Sequence, residues 1–185
     1  MLKIPPKKGR LLVAEPSILN DTSFNKAIVL LTEHTANNSV GFILNKPLAY
    51  NLNDLLPNIK CSFKIYQGGP VEQDNLYFLH RVPQLLSKSI AVSNGVYWGG
   101  DFNQLTELLN NSVLDTSEIR FFLGYSGWDK EQLGAELKEK SWFVTENDFE
   151  NILSNDEKNL WKEKLLQKGG AYKIWANAPD DFNLN

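Results

Sequence analysis

The sequence is short of the residues that most often announce a metal or redox centre, with one cysteine, Cys61, and two histidines, His34 and His80. A lone cysteine excludes an internal disulfide and agrees with a reducing compartment. Its setting, K-C-S-F-K-I-Y, reads as a strand entrance and gives Cys61 a structural role, not that of an activated thiol. The histidines stand far apart, with no H-x-x-x-H pair, so even with Glu33 beside His34 no metal set assembles; His34 is expected to close a strand end. Neither a metal nor a cofactor is expected. No apolar run approaches the roughly 20 residues that cross a bilayer, and the first residues lack the apolar centre of a signal peptide, so a cytoplasmic protein without membrane contact is expected. Neither sign of charge dominates: 19 basic against 22 acidic residues leave a net charge of -3. A nucleic-acid binder would therefore need a local basic face. The one candidate, Lys3, Lys7, Lys8 and Arg10 among Pro5 and Pro6, reads as a solvated end, and direct nucleic-acid binding is not expected.

What is present is core material. Of 185 residues, 42% are hydrophobic and 11% aromatic, enough for one good core. With no low-complexity linker, residues 1–185 are expected to form a single domain, with 1–8 and 177–185 as flexible ends. Strands are expected at 9–14, 27–31, 40–44, 63–66, 76–79, 89–92, 119–123 and 142–144. Continuous apolar runs such as A-I-V-L-L (27–31) suit strands covered on both faces, and the polar stretch H-T-A-N-N-S should turn the chain into a hairpin with G-F-I-L. Helices are expected after Asn51, Asp101, Trp128, Thr145 and Ser154. Strands and helices mix without an even alternation, which predicts an α+β fold with a mixed sheet.

The stretch F-F-L-G-Y-S-G-W-D (121–129) raises the question of a catalytic serine. A nucleophile elbow is G-x-S-x-G, and here Trp128 takes the place of the last glycine. Both histidines precede Ser126, so the downstream base of that arrangement is missing. A simpler reading treats Ser126 and Asp129 as a helix start, in the pattern also seen at Asn51/Asp54, Asp101/Gln104, Thr145/Asp148 and Ser154/Glu157. No catalytic residue is assigned. In the helix expected over 154–168, Trp161 and Leu165 should pack inward while the lysines form a solvated face.

Several segments taken together resemble the bacterial YqgE/AlgH family: L-V-A-E-P-S-I-L-N-D-T-S-F (12–24), E-H (33–34), G-F-I-L-N-K-P (41–47), G-G-P (68–70), F-L-H (78–80) and G-Y-S-G-W-D-K-E-Q-L (124–133). They occur in the family's order over most of the chain. The resemblance implies a single α+β domain whose mixed sheet is strongly curved, partly barrel-like, and flanked by helices. It also implies a cytoplasmic bacterial protein with no assigned activity, in a family whose name carries a proposed regulatory link to alginate gene expression. The family pattern has alanine at Ser126, glycine at Glu131 and glutamate at Gly134, which weakens any catalytic role for Ser126. His34, Asn45, Lys46, Pro47, Gly68, Gly69, Pro70, His80, Tyr125 and Trp128 match it.

Those matched residues are the candidate site. Asn45-Lys46-Pro47, Gly68-Gly69-Pro70 and Tyr125 with Trp128 each follow an apolar strand, where scaffolds place binding groups. At least two of these loops are expected to converge, with Asn45 and Lys46 as polar contacts, glycine N–H groups as donors and Trp128 as an apolar wall. The competing reading makes Trp128 core, Asn45 a turn residue and the glycines a tight turn. The expected function is that of a non-catalytic binding or regulatory protein that recognises a small molecule or another protein. The alternative is an enzyme using Lys46 or a histidine as acid or base.

Overall fold

The structure, a computed structural model, describes residues 4–18, 21–154 and 158–178. Its first three strands are β1 (Leu11–Ala14), β2 (Ile28–His34) and β3 (Asn38–Ile43), joined as antiparallel neighbours. Successive side chains of a strand point to opposite faces, and here both faces are covered. Leu11, Val13, Ile28 and Leu30 enter one core, whereas Leu12, Ala14, Val29 and Leu31 enter another. The β2–β3 hairpin forms as the sequence predicts. Thr35 closes it, accepting from the backbone N–H groups of Asn37 and Asn38 at 3.1 Å and donating to Asn38 Oδ1 at 2.6 Å.

The spine of the sheet is the eleven-residue β9 (Ile119–Asp129). Its first half lies between β5 (Lys64–Gln67), which runs parallel to it, and β6 (Val71–His80), which runs antiparallel. Its second half instead pairs with β3, from Gly41↔Ser126 to Asn38↔Asp129. The change of neighbour falls at Gly124, whose φ of +68° is in the left-handed region that favours glycine. The chain leaving β5 crosses at the same point. A Cβ on Gly68 would lie 2.1 Å from the Gly124 carbonyl oxygen, and one on Gly69 would lie 2.2 Å from that of Tyr125.

The main strand order is β10-β1-β2-β3-β9-β6-β8-β7, where β7 is Ile90–Ser93, β8 is Val96–Trp98 and β10 is Trp142–Thr145. A side branch pairs β4 (Pro47–Asn51) with β5. The sheet is thus mixed, and it curves without closing. Its ends meet through side chains: Ser93 Oγ reaches the Gly9 carbonyl at 3.4 Å, and Asn94 Nδ2 donates to the Asn147 carbonyl at 2.8 Å.

Helices divide the outer surface. α1 (Leu52–Leu55) and α2 (Phe102–Asn110) pack on Ile65, Phe78 and Phe121 of one core. α3 (Gln132–Lys138) adds Leu133 to the core of Leu12 and Val29. α4 (Leu160–Lys168) and α5 (Tyr172–Ala176) cover the face of Leu11 and Ile28, to which they contribute Leu160, Trp161, Leu165 and Ala176. Asp101 caps α2 by accepting from the N–H groups of Asn103 and Gln104, and Asp54 accepts from Asn51 N–H at 2.8 Å, as their spacing predicts.

Three expected helix starts are corrected. Ser126 is no N-cap, because β3 pairing extends β9 through Asp129 and α3 begins only at Gln132. No helix follows Thr145, since Glu146 is drawn to Arg10 and Asp148 to Lys164. The helix expected from Ser154 begins at Leu160, and Glu157 lies outside the described residues. Of the expected flexible ends, 1–3 and 179–185 also lie outside them, while residues 4–8 are held in part by Arg10 Nη1 donating to the Pro5 carbonyl at 2.8 Å.

Candidate functional site

Ser126 is fully buried in mid-strand, and its Oγ donates to the Gly68 carbonyl at 3.0 Å. The same carbonyl accepts the Ile43 N–H at 2.9 Å, so the hydroxyl helps join β3, β9 and the exit of β5. A nucleophile needs exposure and an adjacent base. Both histidines have other partners. His34, at the end of β2 as expected, bonds Ser39 Oγ through Nδ1 at 2.7 Å. His80 is fully buried: Nδ1 accepts the Val82 N–H at 3.2 Å, which leaves the proton on Nε2 to donate to the Gly99 carbonyl at 3.0 Å. Burial pushes its pKa below the usual imidazole value, with the Gly99 bond opposing. Cys61 has its thiol pushed up by burial, in keeping with a structural role.

The Gly68-Gly69 pair serves close backbone approach rather than anion binding, and Gly68 N–H is already committed to the Leu123 carbonyl at 2.8 Å. Pro70 is exposed, with its carbonyl accepting from Gln73 Nε2 at 3.3 Å. Tyr125 packs edge-on against Tyr77, whose hydroxyl bonds Glu72. Trp128, expected as the wall of a site, is core. It is 3% exposed, packs against Phe24 and Trp142, and its indole N–H shares the Glu136 carboxylate with that of Trp142, both at 2.8 Å.

Asn45 and Lys46 behave differently. They leave β3 at the end where Asn25 and Lys26 enter β2. The Asn45 side chain pairs as a strand would, with Oδ1 accepting the Ile28 N–H and Nδ2 donating to the Lys26 carbonyl, each at 2.8 Å. Lys46 Nζ donates to the Ser23 carbonyl at 2.7 Å; burial lowers its pKa and Asp21 partly opposes this. Pro47 is exposed and starts β4.

Asn25, Lys26, Asn45 and Lys46 form one wall of a cleft of about 500 Å³. The opposite wall is the start of α4, with Lys158, Asn159, Trp161 and Lys162, and the end of α5, with Trp175. Trp161 is fixed there by donating to the Ala14 carbonyl at 2.8 Å, and the Lys26 ammonium stands 5.8 Å from its ring centre. Of the three strand-exit loops, only Asn45-Lys46 lines this cleft; Gly68, Gly69, Tyr125 and Trp128 do not. Sequence reasoning missed Asn25, Lys26 and Trp175, whose one signal was tryptophan beside small and polar residues in W-A-N-A.

A model of the AlgH-like family matches residues 11–173. The chain belongs to the AlgH-like family. It is 36% identical over 184 residues to a UPF0301 protein of Bacteroides fragilis, covering 98% of this chain and 93% of that one. A UPF0301 protein of Pelodictyon phaeoclathratiforme is 38% identical over 180 residues, covering 97% and 96%. Two solved structures share this AlgH-like fold. A Corynebacterium diphtheriae protein superposes with a TM-score of 0.74 at 19% identity, covering 96% of this chain and 95% of that one. The AlgH protein of Pseudomonas aeruginosa superposes with 0.72 at 20% identity, covering 98% and 100%. Among the described residues, no group of three or more His, Cys, Asp or Glu is placed to hold a metal, and no helix is long and apolar enough to cross a membrane.

Proposed function

We propose that this AlgH-like protein is a non-catalytic binding protein with a regulatory role, and that the cleft between the β2/β3 rim and α4–α5 receives a small molecule. The observation that carries this reading is the cleft itself: about 500 Å³, within the range of metabolite sites, with polar side chains converging on tryptophan. The hydrogen-bonding around Asn45 supports a preformed wall, because its amide is fixed at both ends. Its lysines gather in a concavity, which suits a compact ligand better than an extended polynucleotide.

An enzymatic reading has one observation in its favour, the lowered pKa of Lys46 at the cleft wall. Against it, the Lys46 ammonium is engaged by the Ser23 carbonyl, a contact that favours the charged form over a free base. Thermal shift against a fractionated metabolite extract tests the binding reading. At least one fraction should raise the Tm of the native chain and fail to raise that of Trp175→Ala; shifts identical in both, or none, would refute it.

A further inference from the structure

After β10 the chain runs through residues 146–153 without helix or strand, as a strap across the place where the ends of the sheet meet. Side chains of other elements hold its backbone. Asn94 Nδ2 donates to the Asn147 carbonyl and Arg81 Nη1 to the Glu150 carbonyl, each at 2.8 Å, while Lys164 Nζ reaches the Glu146 carbonyl at 3.5 Å. Beneath these ties Phe149, Ile152 and Leu153 pack on the core of Leu11 and Ile28. The strap carries a cost of its own: the Asn147 side chain is buried, and neither its Oδ1 nor its Nδ2 has a hydrogen-bond partner among the described residues.

The tie from Asn94 is chemically perishable. Asn94 and Gly95 are the exposed two-residue turn between β7 and β8, with left-handed φ values of +50° and +72°, as Asn-Gly hairpin turns require. Asn94 is the one asparagine of the chain that precedes a glycine. Gly95 has no side chain to keep its amide nitrogen from the Asn94 side-chain carbon. Arg81 stands at the same peptide, since a Cβ on Gly95 would lie 3.5 Å from Arg81 Nη2. Its guanidinium charge favours both a nitrogen anion at Gly95 and a carboxylate at position 94.

We propose that Asn94 is a site of spontaneous deamidation and that its conversion unties the strap. The Gly95 nitrogen, having given its proton to hydroxide, bonds to Asn94 Cγ. The Cγ–Nδ2 bond breaks and the amide nitrogen leaves as ammonia, taking a proton from water, so that a succinimide remains and hydroxide is restored. Water then opens one of the two imide C–N bonds to give aspartate or isoaspartate; the net exchange is water for ammonia, with nothing oxidised or reduced. A carboxylate oxygen then stands where an N–H donated, against the Asn147 carbonyl oxygen with no proton between them, and it competes with the Glu150 carbonyl for Arg81. In the folded turn Asn147 holds the Asn94 amide, so the reaction proceeds through openings of the hairpin and runs more slowly than in the unfolded chain.

Peptide-mapping mass spectrometry of the full chain, kept at mildly alkaline pH and physiological temperature both natively and in urea, tests the reaction. Asn94 should gain the mass of an amide-to-acid exchange ahead of every other asparagine in urea, and more slowly but measurably in the native chain. An Asn94 that stays intact in the native chain overturns the proposal, as does another asparagine leading in urea. The untying is read on Asn94→Asp, which keeps the hairpin because Asp-Gly suits the same turn. Its amide hydrogen exchange over 146–153 should be about tenfold faster or more than that of the native chain, while exchange over 28–31 in β2 stays unchanged. Native exchange rates over 146–153 in this variant, or equal acceleration in β2, would overturn the link between the turn and the strap.

Discussion

Two buried polar side chains show how the same surroundings produce different consequences. The Ser126 hydroxyl is one of two donors to the Gly68 carbonyl, so its loss leaves that oxygen bonded to Ile43 N–H. Ser126→Ala should therefore cost only about 1 kcal/mol in urea denaturation, and the native protein should resist labelling by a fluorophosphonate. The His80 ring serves the Val82 N–H with Nδ1, while its Nε2 stands 3.0 Å from both the Gly99 carbonyl and Ser89 Oγ. A proton on Nδ1 would break the Val82 bond at a fully buried ring. Because the folded pKa lies below the unfolded one, stability is complete above about pH 6.5. It should decline as the pH falls from there toward the folded pKa, where the unfolded chain binds a proton that the native one does not. Imidazole nitrogen shifts in NMR should show His80 Nδ1 unprotonated at pH 7, and urea midpoints should fall between pH 6.5 and 5.5. A doubly protonated ring at pH 7 would contradict this assignment.

At the scale of elements, the crossing at Gly68, Gly69 and Gly124 organises the sheet. It lets β9 exchange β5 for β3 along one edge while β6 follows the other. Gly68→Ala drives a methyl group to within 2.1 Å of the Gly124 carbonyl oxygen, where backbone must move, and should cost more than about 3 kcal/mol. Gly134→Ala is the counterexample: it lies within α3, its added Cβ meets nothing within 4 Å, and it should stabilise by about 0.5–1 kcal/mol. Chemical denaturation of the two variants checks both signs. These elements were unequally legible in the sequence. Apolar runs revealed β1, β2 and β3 because burial on both faces leaves a continuous signature. The second half of β9 was hidden, since G-Y-S-G-W-D imitates a turn and a cap, and only its pairing with β3 makes it strand. Helical spacing correctly turned Trp161 and Leu165 inward. Of the candidate cleft, Asn45 and Lys46 were singled out in the sequence because they follow an apolar strand, whereas the lining residues opposite come from α4, α5 and their flanks, roughly 110 to 130 residues later in the chain.

At the scale of the whole molecule, the curved sheet turns one face to α3 and another to α4–α5, and the cleft opens where the second pair of helices meets the strand ends. On the binding reading proposed above, strand ends and helix termini supply its described lining. The most direct test is a backbone amide NMR spectrum of the isotopically labelled chain before and after addition of the low-molecular-mass fraction of a bacterial extract. If the cleft is the binding site, shifts gather at Asn25, Lys26, Asn45, Lys46, Trp161 and Trp175 and disappear in Trp175→Ala. Shifts centred on Gly68, Tyr125 and Trp128, or an unchanged spectrum, would contradict it.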